Sequence, residues 1–515
     1  MTDRPDPQAL PIQDAPEPIA ANQRRFDGWR ARLMAWAAGL YAAFHLAALN
    51  GLSIAGMTGG LIDLPFLPSF PVETWNFRIV HVAGALALGY LLYAGCRGAG
   101  TDRAETRWLD RLGAVLLAPA LLAFAATLWF GQQIDAGKLW NGMDAGIRWN
   151  ETWLFAVPLM LASVGGILLS WADRTPRGQV AWPDVVLAIC GFAVAAYLVT
   201  IYATDMRKAT GTPFAPIGMS VASLAGALLI MELTRRVAGL ALVAIAAIFL
   251  AYVFVGPYLP GILNAPAVTW QRFFSQLYTD AGILGPTTAV SSTYIILFII
   301  FAAFLSASKV GDYFVNFAFA MAGRARGGPA KVAIFASGLM GMINGTSAGN
   351  VVATGSLTIP LMKKVGYRKE TAGAIEAAAS TGGQIMPPIM GAGAFIMAEI
   401  TGIPYTEIAA AAIIPAVLYF VSVYFMVDFE AAKLGMRGMN DDELPRLRQM
   451  LTKVYLFVPI VILIAALFMG YSVIRAGTLA IVSAAVVSWL TPHRMGPRLI
   501  GVAFQKGGVM AIQII

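Results

Sequence analysis

The residues of this chain best able to hold a polar ligand sit in two uncharged interruptions of apolar sequence. The first is Asn344-Gly345-Thr346-Ser347-Ala348-Gly349-Asn350, at the centre of a segment from Val332 to Met362 that carries no charged side chain. The second is Ser380-Thr381-Gly382-Gly383-Gln384, followed by Pro387-Pro388, inside a segment from about Thr371 to Gly402. Hydroxyl, carboxamide and freed backbone carbonyl oxygens are the donors a hard cation takes. Irregular backbone at membrane depth survives only where it is buried in protein or lines a polar site. Discontinuous helices of this kind build the ion and substrate sites of many secondary transporters, with half-helix N-termini able to face an anion. The plainer reading is that small residues let helices pack closely and prolines kink them. Two breaks in succession, both rich in hydroxyls and amides, favour a site.

Glu376 lies inside the second broken segment, about one turn before Ser380. A carboxylate within a membrane is a functional candidate, able to relay protons or to neutralise a cation. The competing reading takes it to the membrane surface beside Lys369 and Glu370. Glu399 reads as interfacial. Gly345-Thr346-Ser347-Ala348-Gly349 also fits G-x-S-x-G, the mark of a serine nucleophile, here an intramembrane protease using Ser347. Such a serine needs a base within hydrogen-bond reach. The chain has three histidines, His45 and His81 on distant spans and His493 in a loop, so an enzyme reading is set aside. His45 and His81 suit helix-to-helix hydrogen bonds. An ion channel is a third class, less suited to a long N-terminal extension. Asp441-Asp442-Glu443 reads as a solvated loop rather than a metal site, and Cys96 and Cys190 give neither a disulfide framework nor metal spacing. There is no GxxxxGK[ST] phosphate loop, so ATP does not drive this chain directly.

These residues must be positioned by membrane-spanning helices. Hydrophobic residues make up 58% of the chain, charged residues 12%, and mean hydropathy is +0.69. Many runs reach the roughly 20 residues that cross a bilayer. The fold class is an all-α polytopic membrane protein of about twelve spans, with one re-entrant hairpin and discontinuous helices. The expected spans are about 33–53, 77–96, 112–131, 152–172, 185–203, 217–234, 238–256, 287–308, 371–402, 405–428, 454–472 and 476–491. The polar N-terminal tail, 1–32, lacks a signal peptide's short apolar core and cleavage site, so the first span is expected to stay as an anchor.

The net charge of +8 is a topology signal, not a nucleic-acid footprint. With the N-terminus in the cytoplasm, only Arg78, Lys138, Arg148, Arg207, Lys208, Arg272 and Arg475 of the 36 basic residues fall outside. That count requires 332–362 not to cross, because Arg324, Arg326 and Lys331 precede it and Lys363, Lys364, Arg368 and Lys369 follow it. A straight helix of that length would measure about 46 Å, too long for a core of about 30 Å. The segment is therefore expected to enter and return as a hairpin turning at Gly345 to Gly349, where Gly and Asn give the backbone freedom. Residues 311–321 read as an amphipathic helix at the interface or as an extension of the span before it. The aromatic-rich outer loop 257–285 suits either an external partner or the headgroup belt.

The motifs at 344–350 and at 381–388 (Thr-Gly-Gly-Gln-Ile-Met-Pro-Pro) resemble the first hairpin and the following broken helix of the large, 12-span membrane subunit of tripartite ATP-independent periplasmic (TRAP) transporters. With the long N-terminal extension, the chain resembles the fused permeases of the TAXI subtype, where a four-span small subunit and the large subunit form one polypeptide. The match is specific over about 287–435; span count alone assigns 33–172 to the small-subunit part. The resemblance divides the rest into connecting spans and an outer loop (173–286), a first repeat of the transport region (287–491, with hairpin 331–362 and broken helix 371–402) and the start of a second (492–515). It implies a bacterial inner-membrane importer with an elevator-like motion. A TAXI-type periplasmic binding protein would deliver a small organic anion, typically a carboxylate, and sodium, or else protons, would drive uptake with no other cofactor. It places sodium ligands around Asn344, Gly345, Thr346, Ser347, Asn350, Ser380, Thr381, Gly382 and Gln384, and substrate or gating roles around Gly349, Thr354, Glu376, Pro387 and Pro388. Many relatives carry Asp near the position of Asn350, where this chain has a neutral residue.

Transporters of this kind are commonly built from two inverted repeats. Only one hairpin and one broken helix are legible, and the final apolar run from about Arg498 has the direction opposite to 287–308. The expectation is that these 515 residues hold the first of two repeats and do not transport alone. Cysteines placed at Lys331 and Lys363 should be labelled from the same membrane face; labelling from opposite faces would sink the hairpin.

Overall fold

The structure, a computed structural model, describes residues 22–51, 57, 73–95, 107–137, 145–172, 175, 176, 178–202, 210–212, 215–439 and 444–514. The N-terminal tail through residue 21, Cys96 and Asp441-Asp442-Glu443 lie outside them. Among the described residues the secondary structure is helical, with one isolated bridge between Gln23 and Tyr93. Among the described residues nine helices are long and apolar enough to cross a membrane. The first seven are α1 (Gly28–Leu49), α2 (Thr74–Leu92), α3 (Arg107–Asp135), α4 (Gly146–Ala172), α5 (Trp182–Tyr202), α6 (Ile217–Val237) and α7 (Leu240–Val255). A short helix, α8 (Trp270–Leu277), precedes α9 (Pro286–Ala307), the eighth long span. Then come α10 (Val310–Ala322), α11 (Gly328–Asn344), α12 (Ser347–Lys364), α13 (Lys369–Gly382), α14 (Ala392–Thr401) and the ninth long span, α15 (Tyr405–Lys433). The chain closes with α16 (Val458–Phe468), α17 (Val473–Ser488) and α18 (Pro497–Ile514).

The expected twelve spans and the nine long helices differ at three places, 371–402, 454–472 and 476–491. The first is two helices separated by a non-helical stretch. The other two are α16, of 11 residues, and α17, of 16, separated by Gly470 at φ +86°. At about 1.5 Å per residue each falls short of a hydrocarbon core of about 30 Å. Residues 310–322 form a separate helix and not an extension of α9, because Lys309 adopts a left-handed conformation (φ +60°) that ends the helix before it. The inner face of α10 packs on α11, and Phe314 stacks on Phe457 at 4.5 Å between ring centres.

The chain divides into two compact units. One contains residues 72–292 with the segment 19–37. Its core joins α2 to α6, with Phe155 stacked on Tyr197 at 4.4 Å. At one end a buried ion network runs from Arg24 through Asp184 to Arg236 and Glu232. Trp171 Nε1 donates to Glu232 at 2.9 Å, and Arg24 N donates to Leu92 O at 2.8 Å. The network therefore ties the ends of α2, α4 and α6 and the start of α5 together. These four termini should share a face if spans alternate.

The other unit contains residues 293–511 and 38–71, and holds both polar interruptions. Its α11 and α12 pack against each other as a hairpin. Ala330 at the start of α11 and Met362 near the end of α12 share one apolar cluster with Tyr367, Val427 and Ala431, so the hairpin enters and leaves at the same level. That level is pinned by charge. Asp428 on α15 accepts from Lys331 Nζ at 2.5 Å and from Arg326 Nη2 at 2.5 Å, and the Lys331 ammonium lies 4.6 Å from the centre of the Tyr424 ring.

Lys331 is only 3% exposed, so removing its carboxylate partner leaves a nearly buried charge uncompensated. Asp428→Asn should be destabilising. It should lower the unfolding temperature of the detergent-solubilised protein, and Asp428→Asn with Lys331→Met should recover most of the loss in the same thermal scan.

Candidate functional site

Three helices meet where the sequence is interrupted. The turn between α11 and α12 consists of Gly345 and Thr346. Gly345 is left-handed (φ +60°), a conformation glycine adopts without strain, and Thr346 is extended. Helix α12 starts at Ser347, so Gly349 lies within the helix and not in the turn, and is exposed. Asn344 ends α11. The broken segment pairs α13 with α14 through a short 3-10 turn at Gly383–Ile385 and a cis Pro387-Pro388 bond. Tyr405 at the start of α15 fixes this linker by donating to Pro388 O at 2.7 Å.

The polar residues separate into two layers. At the hairpin tip, Gln384 Nε2 donates to Ser347 Oγ at 3.3 Å, and Gln384 O accepts from Gly391 N at 2.7 Å. A side chain at Gly345 would overlap Met390 O, so the tip rests on the stretch after the prolines. This layer is partly exposed. The second layer lies deeper in the hairpin and is closed. Its centre is Glu376 on α13, fully buried. Glu376 Oε1 accepts from Thr354 Oγ1 and from Ser337 Oγ at 3.3 Å and Ser380 Oγ at 3.4 Å, while Oε2 accepts from Thr358 Oγ1. Asn350 Nδ2 donates to Ser337 O at 2.8 Å, and the Asn350 carboxamide oxygen is buried with no hydrogen-bond partner. Among the described residues no Lys, Arg or His pairs with Glu376.

Close backbone approach makes this layer possible. A Cβ at Gly341 would overlap the backbone of Gly383, and one at Gly383 would come within 2.9 Å of Asn350 Nδ2. Gly382 is packed against the Tyr419 and Phe420 rings of α15.

The structure thus brings Asn350, Thr354, Glu376 and Ser380 together, and sets Gly345, Thr346, Ser347 and Gln384 at the tip. Thr381 does not join them: it is exposed and its hydroxyl donates to Ala377 O at 2.8 Å on its own helix. Glu376 does not reach the surface beside Lys369 and Glu370, because α13 carries it nearly two turns inward, into the hydroxyl cluster. Two members, Ser337 and Thr358, were not singled out from the sequence. The four-residue spacing Asn350, Thr354, Thr358 on one helical face was the available signal for Thr358; a lone Ser337 in an apolar run gave none. Ser347 lacks a histidine partner among the described residues: His45 Nδ1 is bonded to Tyr41 O at 2.7 Å, and His81 faces Ser291 at 3.1 Å.

The deep layer gathers one carboxylate and four hydroxyls, oxygen groups of the kind a hard cation takes. The comparison with protein families agrees with this architecture. Residues 225–515 match the family described as the tripartite ATP-independent periplasmic transporter, DctM component. The chain belongs to this family. It is 38% identical over 91 residues to the C4-dicarboxylate TRAP transporter large permease protein DctM of Vibrio cholerae, covering 18% of this chain and 20% of that protein. It is 28% identical over 129 residues to the protein of the same description from Rhodobacter capsulatus, covering 24% of this chain and 29% of that protein. The chain thus matches less than a third of the length of these curated relatives.

Overpacking a close helix contact typically costs about 1–3 kcal/mol. Gly341→Ala should therefore lower the unfolding temperature, whereas Gly393→Ala, which meets nothing within 4 Å, should leave it unchanged. Thermal unfolding measured on the two variants decides this.

Proposed function

We propose that this chain is the permease of a secondary transporter that imports a small organic anion with sodium, the substrate arriving on a periplasmic binding protein. The observation that carries the reading is the convergence, in a DctM family member, of both hairpin arms and a broken helix on a buried carboxylate with no cationic partner among the described residues. A bound cation would supply the positive charge that this carboxylate lacks. The residues of the chain do the rest. Asn350 and Ser337 link the two arms of the hairpin, Ser380 and Glu376 link the hairpin to the broken helix, and the Gly341–Gly383 contact keeps water from between them. The tip, with Ser347 and Gln384 partly exposed and the N-terminus of α12 beside them, is the place for an anion, since a helix N-terminus attracts negative charge.

The finer reading is a TAXI-type fused permease, with 33–172 as the small-subunit part, set in a bacterial inner membrane with its N-terminus in the cytoplasm. It would move the hairpin-bearing unit by an elevator-like shift. Carboxylates are the substrate class, and the names of the relatives make four-carbon dicarboxylates the first to test. Supporting it are the polar tip and the apolar helices.

The test is uptake into proteoliposomes holding the intact transporter and its binding protein. Radiolabelled succinate and other small carboxylates would be supplied under an inward sodium gradient. Asn350→Ala should raise the sodium concentration for half-maximal uptake at least several-fold, and Thr381→Ala, turned away from the cluster, should change it little. Uptake that ignores sodium in the parent and in both variants, or that follows a pH gradient instead, overturns sodium coupling.

A further inference from the structure

We infer that Tyr405 is the positioning residue of the hairpin tip. It ties the linker on which the tip rests to a stack of rings on α9 and α14, so the tip is seated only while this side chain keeps its place. The consequence for uptake rests on the transporter reading above; the seating of the tip does not.

Four observations carry it. The first is the hydroxyl. Tyr405 is buried, and its hydroxyl lies 2.7 Å from Pro388 O and 2.5 Å from Ile389 O. Its single proton is therefore directed at two successive carbonyls of a non-helical stretch, groups that no helix satisfies. What the hydroxyl fixes is the backbone of the linker. The second is the ring. It lies parallel to Phe395 of α14, with 4.3 Å between centres and 8° between planes. Phe395 in turn stacks on Tyr294 and Phe298, each at 5.4 Å. These two are four residues apart on α9 and share one face. Stacked rings attract beyond the area they bury. The third is backbone strain. Met390 follows the two tethered carbonyls and is left-handed (φ +59°) although it carries a side chain. Such a residue keeps that conformation only where its surroundings impose it, and such residues gather at clamps and switches. Here the Tyr405 hydroxyl holds the chain before it, and Gly391 N, donating to Gln384 O at 2.7 Å, holds the chain after it. The fourth is what the strained residue meets. A Cβ at Gly345 would stand 2.4 Å from Met390 O, so the tip and the linker touch backbone to backbone.

The contacts form one path, from the α9 rings through Phe395 and Tyr405 to the linker, and from Met390 to Gly345. If the hydroxyl lets go, Met390 relaxes and the support under Gly345 moves. Ser347, two residues further on, then loses its fixed distance to Gln384. The Glu376 layer takes its hydrogen bonds from α11, α12 and α13, so the path leaves it untouched.

The test is the rate of maleimide labelling of the purified full chain in nanodiscs, with Cys96→Ser and Cys190→Ala as background. Ser347→Cys puts a thiol at the half-buried tip, and Met362→Cys puts one in the buried cluster at the hairpin base. Tyr405→Phe removes one oxygen and keeps the ring. It should speed labelling at the tip about fivefold, the shift expected from the loss of one hydrogen bond. Phe395→Ala keeps the hydroxyl and removes the stack, and should speed it about tenfold. Phe429→Ala, which removes an exposed ring of the same helix α15, should label as the parent does. The base thiol should stay unreactive in all three. If Phe395→Ala does not fold, Tyr405→Phe decides. Labelling at the parent rate in Tyr405→Phe overturns the assignment, and so does an equal rise at tip and base, the mark of a merely loosened fold. In the assembled transporter, Tyr405→Phe should raise the carboxylate concentration for half-maximal uptake several-fold and leave the sodium dependence as in the parent. The expected labelling pattern in a transporter that takes up no carboxylate would remove the transporter reading alone. Carboxylate uptake with a tip indifferent to Tyr405 would remove only the role of Tyr405.

Discussion

A buried carboxylate with no counter-charge among the described residues, enclosed by apolar helices, is the feature on which the rest of this unit depends. Glu376 is tolerated because four hydroxyls from three helices reach its two oxygens. They reach it because α11 and α13 approach to backbone contact at Gly341 and Gly383. That approach in turn needs the chain to reverse at Gly345 and to break after Gly382. Residues with larger side chains at these points would separate the helices and leave the carboxylate exposed to lipid or to stray water.

The same logic explains how the hairpin is held from outside. Its base is fixed by Asp428, Lys331 and Arg326 and by an apolar cluster around Tyr367. Among the described residues its tip is held by backbone packing against the stretch after Pro388 and by one long hydrogen bond from Gln384. Rigidity at the base with looser contacts at the tip suits a part that must admit and release a ligand. In the other unit, buried arginines and carboxylates join helix ends in a similar way, but there the carboxylates have arginine partners.

Membership of the DctM family and the polytopic helical class followed from local features: apolar runs of spanning length, and two motifs of small and polar residues. The hairpin was legible for an electrostatic reason, because basic clusters on both flanks of 332–362 must share a side. The short helices α16 and α17 were not legible. Apolarity counts residues, whereas Gly470 and the turn around it decide where a helix ends.

What the sequence determined by itself was the chemistry available at each break: oxygen-bearing side chains beside residues that free the backbone. Their order along the chain cannot say which of them meet. Thr381 and Ser380 are neighbours in sequence, yet one faces outward and the other the carboxylate, because successive helical positions are about 100° apart. Ser337 looks like any serine in an apolar run until α11 is laid against α12 and α13. Only the tertiary packing, through the contact of two glycines, decided that Glu376 is central and not superficial.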